Sequence, residues 1–345
     1  MKTFYDLTFK DLKGYLKGRG YKAFAATQIF EWVYKKDTLN FYEMTNIAKP
    51  LRKELSETFY FPRLQETSRQ VAGDGTKKFL FGLRDGYLVE SVLMEHDYGL
   101  SLCVTTQIGC NMGCNFCASG LNKKTRDLTA GEMVEQVLEV QKKEGIRISH
   151  VVVMGTGEPF DNYDNTMAFV DIINHPKALE IGARHITIST AGIVPMIERF
   201  ADEKSQVNLA ISLHAPDDVT RSKLMPINKK YPLKSLMRSA EYYVEKTNRR
   251  ITFEYLLLGG VNDSLEYADK LSDLLRGLNA YVNLIPYNPV SEFDYNSSKA
   301  RQQNLFYDRL KKRGIQVTLR REKGGDIDAA CGQLRSQTMK KRDES

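Results

Sequence analysis

The stretch CNMGCNFC, residues 110 to 117, sets Cys110, Cys114 and Cys117 three and then two residues apart, in a 345-residue chain with only five cysteines. The other two are Cys103, seven positions before the cluster, and Cys331, near the C-terminus. An odd total argues against a disulfide framework. The N-terminal MKTFYDLTFKDLKGYLKG carries a charge every few residues and has no apolar signal core. No apolar run approaches the roughly 18 residues that span a bilayer. These features lead us to expect a soluble protein of a reducing cytoplasm, where clustered thiols mean metal or catalysis rather than cross-links.

A structural zinc site wants four closed ligands, usually as two paired knuckles, and here one cluster supplies three. Cys103 is a possible fourth ligand, but it lies inside a predicted strand. A 4Fe-4S cubane has four irons, so three cysteines leave one iron open to chelate a small molecule and pass it an electron. The pattern favours iron-sulfur; thiolate softness suits both metals, so a zinc-stabilised RNA-binding protein without catalysis stays open.

The elements that must position these thiols divide the chain by pattern. Residues 1–65 read as helices, in LTFKDLKGYLKGRG, ATQIFEWVYKK and AKPLRKELSETFYF. This part holds twelve Lys/Arg against seven Asp/Glu, most of the net charge of +7, and a basic lobe suits a polyanion such as RNA. Residues 66–100 read as a β-hairpin extension, TKKFLFGL and YLVESVLM flanking Arg84-Asp85-Gly86. Residues 101–320 alternate strands with helices, beginning with LCVTTQI (102–108), and residues 321–345 form a C-terminal segment around Cys331. Repeated strand-helix units imply parallel strands with right-handed crossovers, an open sheet or a partly closed barrel, whose active groups collect where strands end. The cysteine cluster, GTGEP (155–159) and PYNP with Asn288 follow predicted strands, and Ser189-Thr190 and Ser212-Leu213-His214 close them.

With these residues in place, the chain resembles the radical S-adenosylmethionine superfamily, whose signature is three cysteines spaced as Cys110, Cys114 and Cys117 are. The resemblance implies a partial (β/α)6 barrel with an N-terminal helical accessory domain and a β-hairpin extension. It extends to the RlmN/Cfr branch of RNA adenosine methyltransferases through LCVTTQIGCNMGCNFCAS, VVMGTGEPFDN, RHITISTAGI, ISLHAP, RSKLMPIN and DIDAACGQL. GEP and the long N-terminal lobe look like the RlmN side, which methylates C2 of adenosine, rather than the Cfr side, which methylates C8. The implied targets are adenosine 2503 of 23S rRNA and adenosine 37 of tRNAs. One departure is Ala25 in YKAFAATQIF, where RlmN relatives usually carry Arg.

The resemblance also implies the cofactors and the roles. Cys110, Cys114 and Cys117 hold one 4Fe-4S cluster, and Gly157, Glu158, Ser189, Ser212, Leu213, His214 and Asn288 bind S-adenosylmethionine, used twice per turnover. Adenine C2, between two ring nitrogens, has no lone pair to attack a sulfonium methyl, so a carbon radical must deliver the carbon. In the implied scheme Cys331 is methylated by one S-adenosylmethionine, and the 5'-deoxyadenosyl radical of a second removes hydrogen from that methyl. The Cys331 methylene radical then adds to C2. Glu90 accepts the C2 proton and Cys103 resolves the protein-RNA adduct. Glu90 is the only charged residue of YLVESVLM, on the strand face of Leu88, Val92 and Met94. An external donor such as flavodoxin or ferredoxin supplies the electron, and the enzyme is a monomer.

Overall fold

The computed structural model describes residues 1–290, 292–320 and 327; Cys331 and the Gly-Gly hinge before it lie outside the described residues. One ten-stranded sheet organises the chain, and its strands stand side by side in chain order. They are β1 (Gln65–Val71), β2 (Lys77–Gly82), β3 (Leu88–His96), β4 (Gly99–Cys103), β5 (His150–Val153), β6 (Ile186–Thr190), β7 (Asn208–Ser212), β8 (Ile251–Leu257), β9 (Ala280–Pro286) and β10 (Val317–Leu319). Strands β1 to β4 are antiparallel neighbours, and β4 to β10 all run parallel.

A parallel step needs a crossover, and helices supply every one. After three N-terminal helices, α1 (Phe9–Gly18), α2 (Phe24–Phe30) and α3 (Lys49–Thr58), the crossovers are α4 (Ala130–Glu144), α5 (Tyr163–Asn174), α6 (Val194–Asp202), α7 (Asp218–Leu224) with α8 (Leu233–Thr247), α9 (Leu265–Leu274) and α10 (Ala300–Lys312). Strands β4 to β9 are thus six βα units, and β10 adds a seventh strand. The edges β1 and β10 do not pair with each other, so the barrel is partial.

Strand register sorts side chains onto two faces. Leu102, Val151, Val153, Ile186, Ile188, Leu209, Ile211, Phe253, Val282 and Leu284 share the helix-facing side and one continuous apolar core. The opposite, lumenal face carries Cys103, Thr187, Ser189, Ser212, Glu254 and Asn283. A sheet that is apolar outside and polar inside puts its chemistry in the lumen.

Two elements differ from the sequence expectation. The strand expected over 102–108 breaks: β4 stops at Cys103, and Gln107–Ile108 pairs instead with Arg126–Asp127. The fully buried Gln136 of α4 causes the break by acting as a strand neighbour to Thr105, accepting from its N–H and donating to its carbonyl, both at 2.9 Å. Strand β1 was not expected, because QETSRQV lacks apolar residues at period two. Ladder hydrogen bonds to β2 and an Arg69–Glu144 ion pair to α4 at 2.6 Å define it.

The helical lobe has a core of its own, in which Phe4 meets Phe30, Phe41, Phe59 and Phe61. Ala25 packs inside this lobe with 8% of its surface exposed. The lobe core runs on into the barrel core. At the join, Phe9 stacks on His175 with centroids 4.2 Å apart, and Asp6 accepts from Gly131 N–H at 2.7 Å, a carboxylate at the positive start of α4. A Cβ on Gly131 would stand 2.7 Å from the Asp6 carboxylate, so this contact requires glycine.

Glu135, 3% exposed, lies at the same join, where burial and the charges of Glu132, Glu139 and Asp6 push its carboxyl up to about 8. The native state therefore holds a proton that the unfolded chain releases near the ordinary 4.5. Its stability contribution is complete below 4.5 and is lost as pH rises through about 8. We expect Glu135→Gln to flatten that decline and to raise unfolding stability above pH 8 by on the order of 3 kcal/mol, read from urea midpoints across pH.

Candidate active site

The cysteine loop, Gly157-Glu158, Ser189, Ser212-Leu213-His214 and Asn288 lie at the carboxyl ends of β4, β5, β6, β7 and β9. The cysteine loop leaves β4 through the 104–107 segment, which the loop after β5 crosses closely. A Cβ on Gly155 would stand 2.6 Å from the Val104 carbonyl, and one on Gly157 2.6 Å from Thr106 Oγ1. Gly157 also has φ +113, so two independent constraints demand glycine there.

The base of the cysteine loop is pinned on both sides. Thr125 N–H donates to Ile108 at 2.7 Å, Cys110 N–H to the Asn122 carbonyl at 3.0 Å, and Asn115 N–H to the Leu224 carbonyl at 2.9 Å. Gly109, at φ +80, packs so tightly that a Cβ would stand 2.2 Å from the Lys123 carbonyl. Cys110, Cys114 and Cys117 are each half-buried. Burial pushes the Cys110 thiol up to about 12, and burial with the neighbouring Cys117 and Cys110 pushes Cys114 up as well. Thiolates crowded into a dry loop need a cation to remain charged, which is what a metal centre supplies. Among the described residues no three such groups converge around a single ion. An iron-sulfur cluster binds each thiolate to a different iron, so three thiols spread along one loop fit it.

The GTGEPFDN loop (155–162) is held by buried polar side chains. Glu158, 3% exposed, accepts from Phe160 N–H at 3.0 Å and from Ala191 N–H at 2.7 Å, and its own N–H donates to Gln107 Oε1 at 2.8 Å. Burial pushes its carboxyl up to about 7, against the pull of those N–H donors. The carboxylate thus ties the β5 loop to the β6 loop. Asn162 donates to the carbonyls of Thr106 at 3.0 Å and Leu128 at 2.8 Å, and Lys124 of the cysteine loop meets Asp161 at 2.7 Å.

Ser189 and Ser212 are half-buried at the ends of β6 and β7, and Asn288 is half-buried beyond β9. Leu213 is fully buried, in the core. His214 has φ +56 and is 6% exposed; its Nδ1 accepts from Leu256 N–H at 3.0 Å. Burial and the Arg221 charge push it down to about 3, so it is a neutral imidazole near pH 7. Its ring meets Phe116 of the cysteine loop edge-on at 4.9 Å. Cys103, 8% exposed, ends β4 on the lumenal face, and Glu90, 4% exposed, lies on the same face of β3.

Sequence reasoning missed the braces. Arg221, 0% exposed, donates to the carbonyls of Ala191, Ser212 and Leu213 at 2.9, 3.1 and 3.1 Å and to Asn228 Oδ1 at 2.8 Å. Fully buried Asn262 donates to the His214 and Leu256 carbonyls, both at 2.7 Å. Their only sequence signal was a place inside RSKLMPIN or beside a Gly-Gly turn.

Comparison with known proteins decides the family. Residues 104–271 match the Radical SAM superfamily, and residues 3–61 match the Ribosomal RNA large subunit methyltransferase N-terminal domain. A protein from Geobacillus kaustophilus named "Probable dual-specificity RNA methyltransferase RlmN" is 55% identical over 99% of this chain and 94% of its own. One of the same name from Acholeplasma laidlawii is 52% identical over 97% and 99%. The chain belongs to the RlmN family. A crystal structure of a radical SAM methyltransferase from Sphaerobacter thermophilus superposes with a TM-score of 0.89 at 43% identity, covering 96% of this chain and 99% of that one. RlmN proteins, as radical SAM enzymes, use a 4Fe-4S cluster and S-adenosylmethionine, and the three-thiol loop here has the donor set for the cluster.

Replacing Arg221 tests the bracing of this RlmN mouth. Arg221→Met leaves three strand-end carbonyls without their donor and should cost about 3 kcal/mol or more in urea unfolding. Arg221→Lys should recover little of it, since one ammonium lacks the planar fork that reaches all three.

Proposed function

We propose that this chain methylates C2 of adenosine in 23S ribosomal RNA and in transfer RNA, through a methylated cysteine and a covalent RNA intermediate. The observation that carries the reading is the gathering of the three-thiol loop, Cys103 and Glu90 around one lumen in a chain matching RlmN relatives from end to end. C2 is favoured over C8 because those relatives carry the RlmN name.

When bound, the cluster supplies the electron that cleaves S-adenosylmethionine, and the family scheme uses two of these molecules per turnover. Cys110, Cys114 and Cys117 hold the cluster. The Glu158 carboxylate is occupied by two backbone donors, so in our reading backbone oxygens of the 155–158 loop receive the ammonium of S-adenosylmethionine. Ser189, Ser212 and Asn288 receive its ribose and carboxylate, and His214 walls the site with Leu213 backing it from the core. Cys331 carries the one-carbon unit, Glu90 takes the C2 proton, and Cys103 attacks the bridging sulfur. That attack forms a Cys103–Cys331 disulfide and breaks the sulfur–carbon bond, and the freed carbon takes a proton to become methyl.

The lobe of residues 1–65 binds RNA, residues 66–100 extend the sheet, residues 101–320 are the catalytic core, and residues 321–345 carry the methyl-carrier Cys331. A flavodoxin or ferredoxin reduces the cluster of a monomeric, cytoplasmic enzyme. Among the described residues no helix is long and apolar enough to cross a membrane.

Mass spectrometry of digested RNA tests the activity: 2-methyladenosine is expected, and its absence with a reduced, cluster-loaded enzyme contradicts it. The two lone thiols are separated by their failures. Cys103→Ala should accumulate a nuclease-sensitive protein-RNA species on denaturing gels. Cys331→Ala and the double variant should show none.

A further inference from the structure

Strand β2 alternates its two lysines. Lys77 is partly exposed and pairs with Glu144 of α4, whereas Lys78 turns to the lumenal face and is 0% exposed. There its ammonium stands 3.1 Å from Glu90 Oε2. The ladders fix the depth of both groups. Lys78 is opposite Val92, which is opposite Cys103, so Lys78 shares a row with the resolving thiol. Glu90 is one lumenal position nearer the mouth, where Thr105 Oγ1 donates to its backbone carbonyl at 2.7 Å. Leu80 and Leu88 form a small apolar cluster beside the pair. A buried ion pair adds little stability over an apolar pair of similar volume, so its presence in a lumen asks for another explanation.

We propose that Lys78 is a positioning residue for RNA release: it anchors the Glu90 carboxylate through Oε2 and supports the negative charge left when Glu90 takes the C2 proton. The inference rests on the reading of Glu90 as proton acceptor. In that step the C2–H bond breaks, the proton bonds to a Glu90 oxygen, and the electron pair stays in the purine ring, which becomes a radical anion; its one surplus electron would pass to a one-electron acceptor of the kind the oxidised iron-sulfur cluster would supply, leaving a closed-shell adduct. The pair goes from neutral to a net positive charge as the ring gains a negative one. An ammonium fixed in a dry lumen offsets that new charge without having to reorganise. Lys78 therefore acts after carbon–carbon bond formation, and the earlier steps do not use it.

The experiment uses the full-length, cluster-loaded enzyme with RNA, comparing Lys78→Met, Lys78→Arg and Glu90→Gln beside wild type. Three quantities are read: Cys331 methylation by intact mass, 5'-deoxyadenosine formed, and RNA-linked protein over time. Lys78→Met should release RNA about tenfold or more slowly and accumulate the adduct, as Glu90→Gln does. In a single turnover its Cys331 methylation and 5'-deoxyadenosine formation should stay within about twofold of wild type, and Lys78→Arg should restore most of the release. A uniform fall in all three quantities, or Lys78→Met without adduct where Glu90→Gln has it, overturns the proposal. Failure of Glu90→Gln to accumulate adduct overturns the proton-acceptor reading first and this inference with it. If Lys78→Met does not fold, the double Lys78→Met/Glu90→Gln removes both charges of the pair and replaces it. The double should stall no more than Glu90→Gln alone, and a further loss of Cys331 methylation overturns the inference.

Discussion

Glu158 gives both carboxylate oxygens to backbone N–H groups on two different loops, and its own N–H goes to the side chain of Gln107. Six parallel strands end around the mouth of this barrel, and each leaves backbone groups that no ladder can satisfy. A buried unsatisfied group costs about 1–3 kcal/mol, so several together would unravel the mouth. Gln136, Asn162, Arg221 and Asn262 meet the same need at the other strand ends. Because most of these braces join two or three loops, the mouth behaves as one unit, and the thiol loop inherits its position from groups that take no part in the chemistry.

That arrangement explains why the motifs are long. VVMGTGEPFDN places glycines where loop and strand nearly touch, then a carboxylate for two N–H donors, then Asp161 and Asn162 for the base of the thiol loop. RSKLMPIN supplies Arg221 and its partner Asn228. Most of these side chains therefore serve the backbone, and only a few are left to face a substrate.

The sequence revealed the alternating strands and helices and the location of the thiol loop after a strand, because period-two and period-3.6 patterns report burial directly. It did not reveal β1, whose polar residues carry no such period, or the break after Cys103. That break depends on Gln136, which is 31 residues away from Thr105 in the chain. The Lys78–Glu90 pair was hidden for the same reason: a lysine in KKFLFG looks like solvated charge until register turns it inward. The aromatic core of the basic lobe joins the barrel core at Phe9 and His175, a contact with no local sequence pattern. RNA held by that lobe would stand at a fixed position relative to the mouth.

The central claim is that the methyl carbon reaches adenine through a cysteine carrier that loses one hydrogen on the way. S-adenosylmethionine carrying a CD3 group tests it in one measurement, the mass of the methyladenosine released from RNA. Passage through Cys331 predicts a CHD2 methyl, since one deuterium leaves at hydrogen abstraction and one solvent proton arrives at release. A product that keeps CD3 would mean intact methyl transfer and would contradict the account.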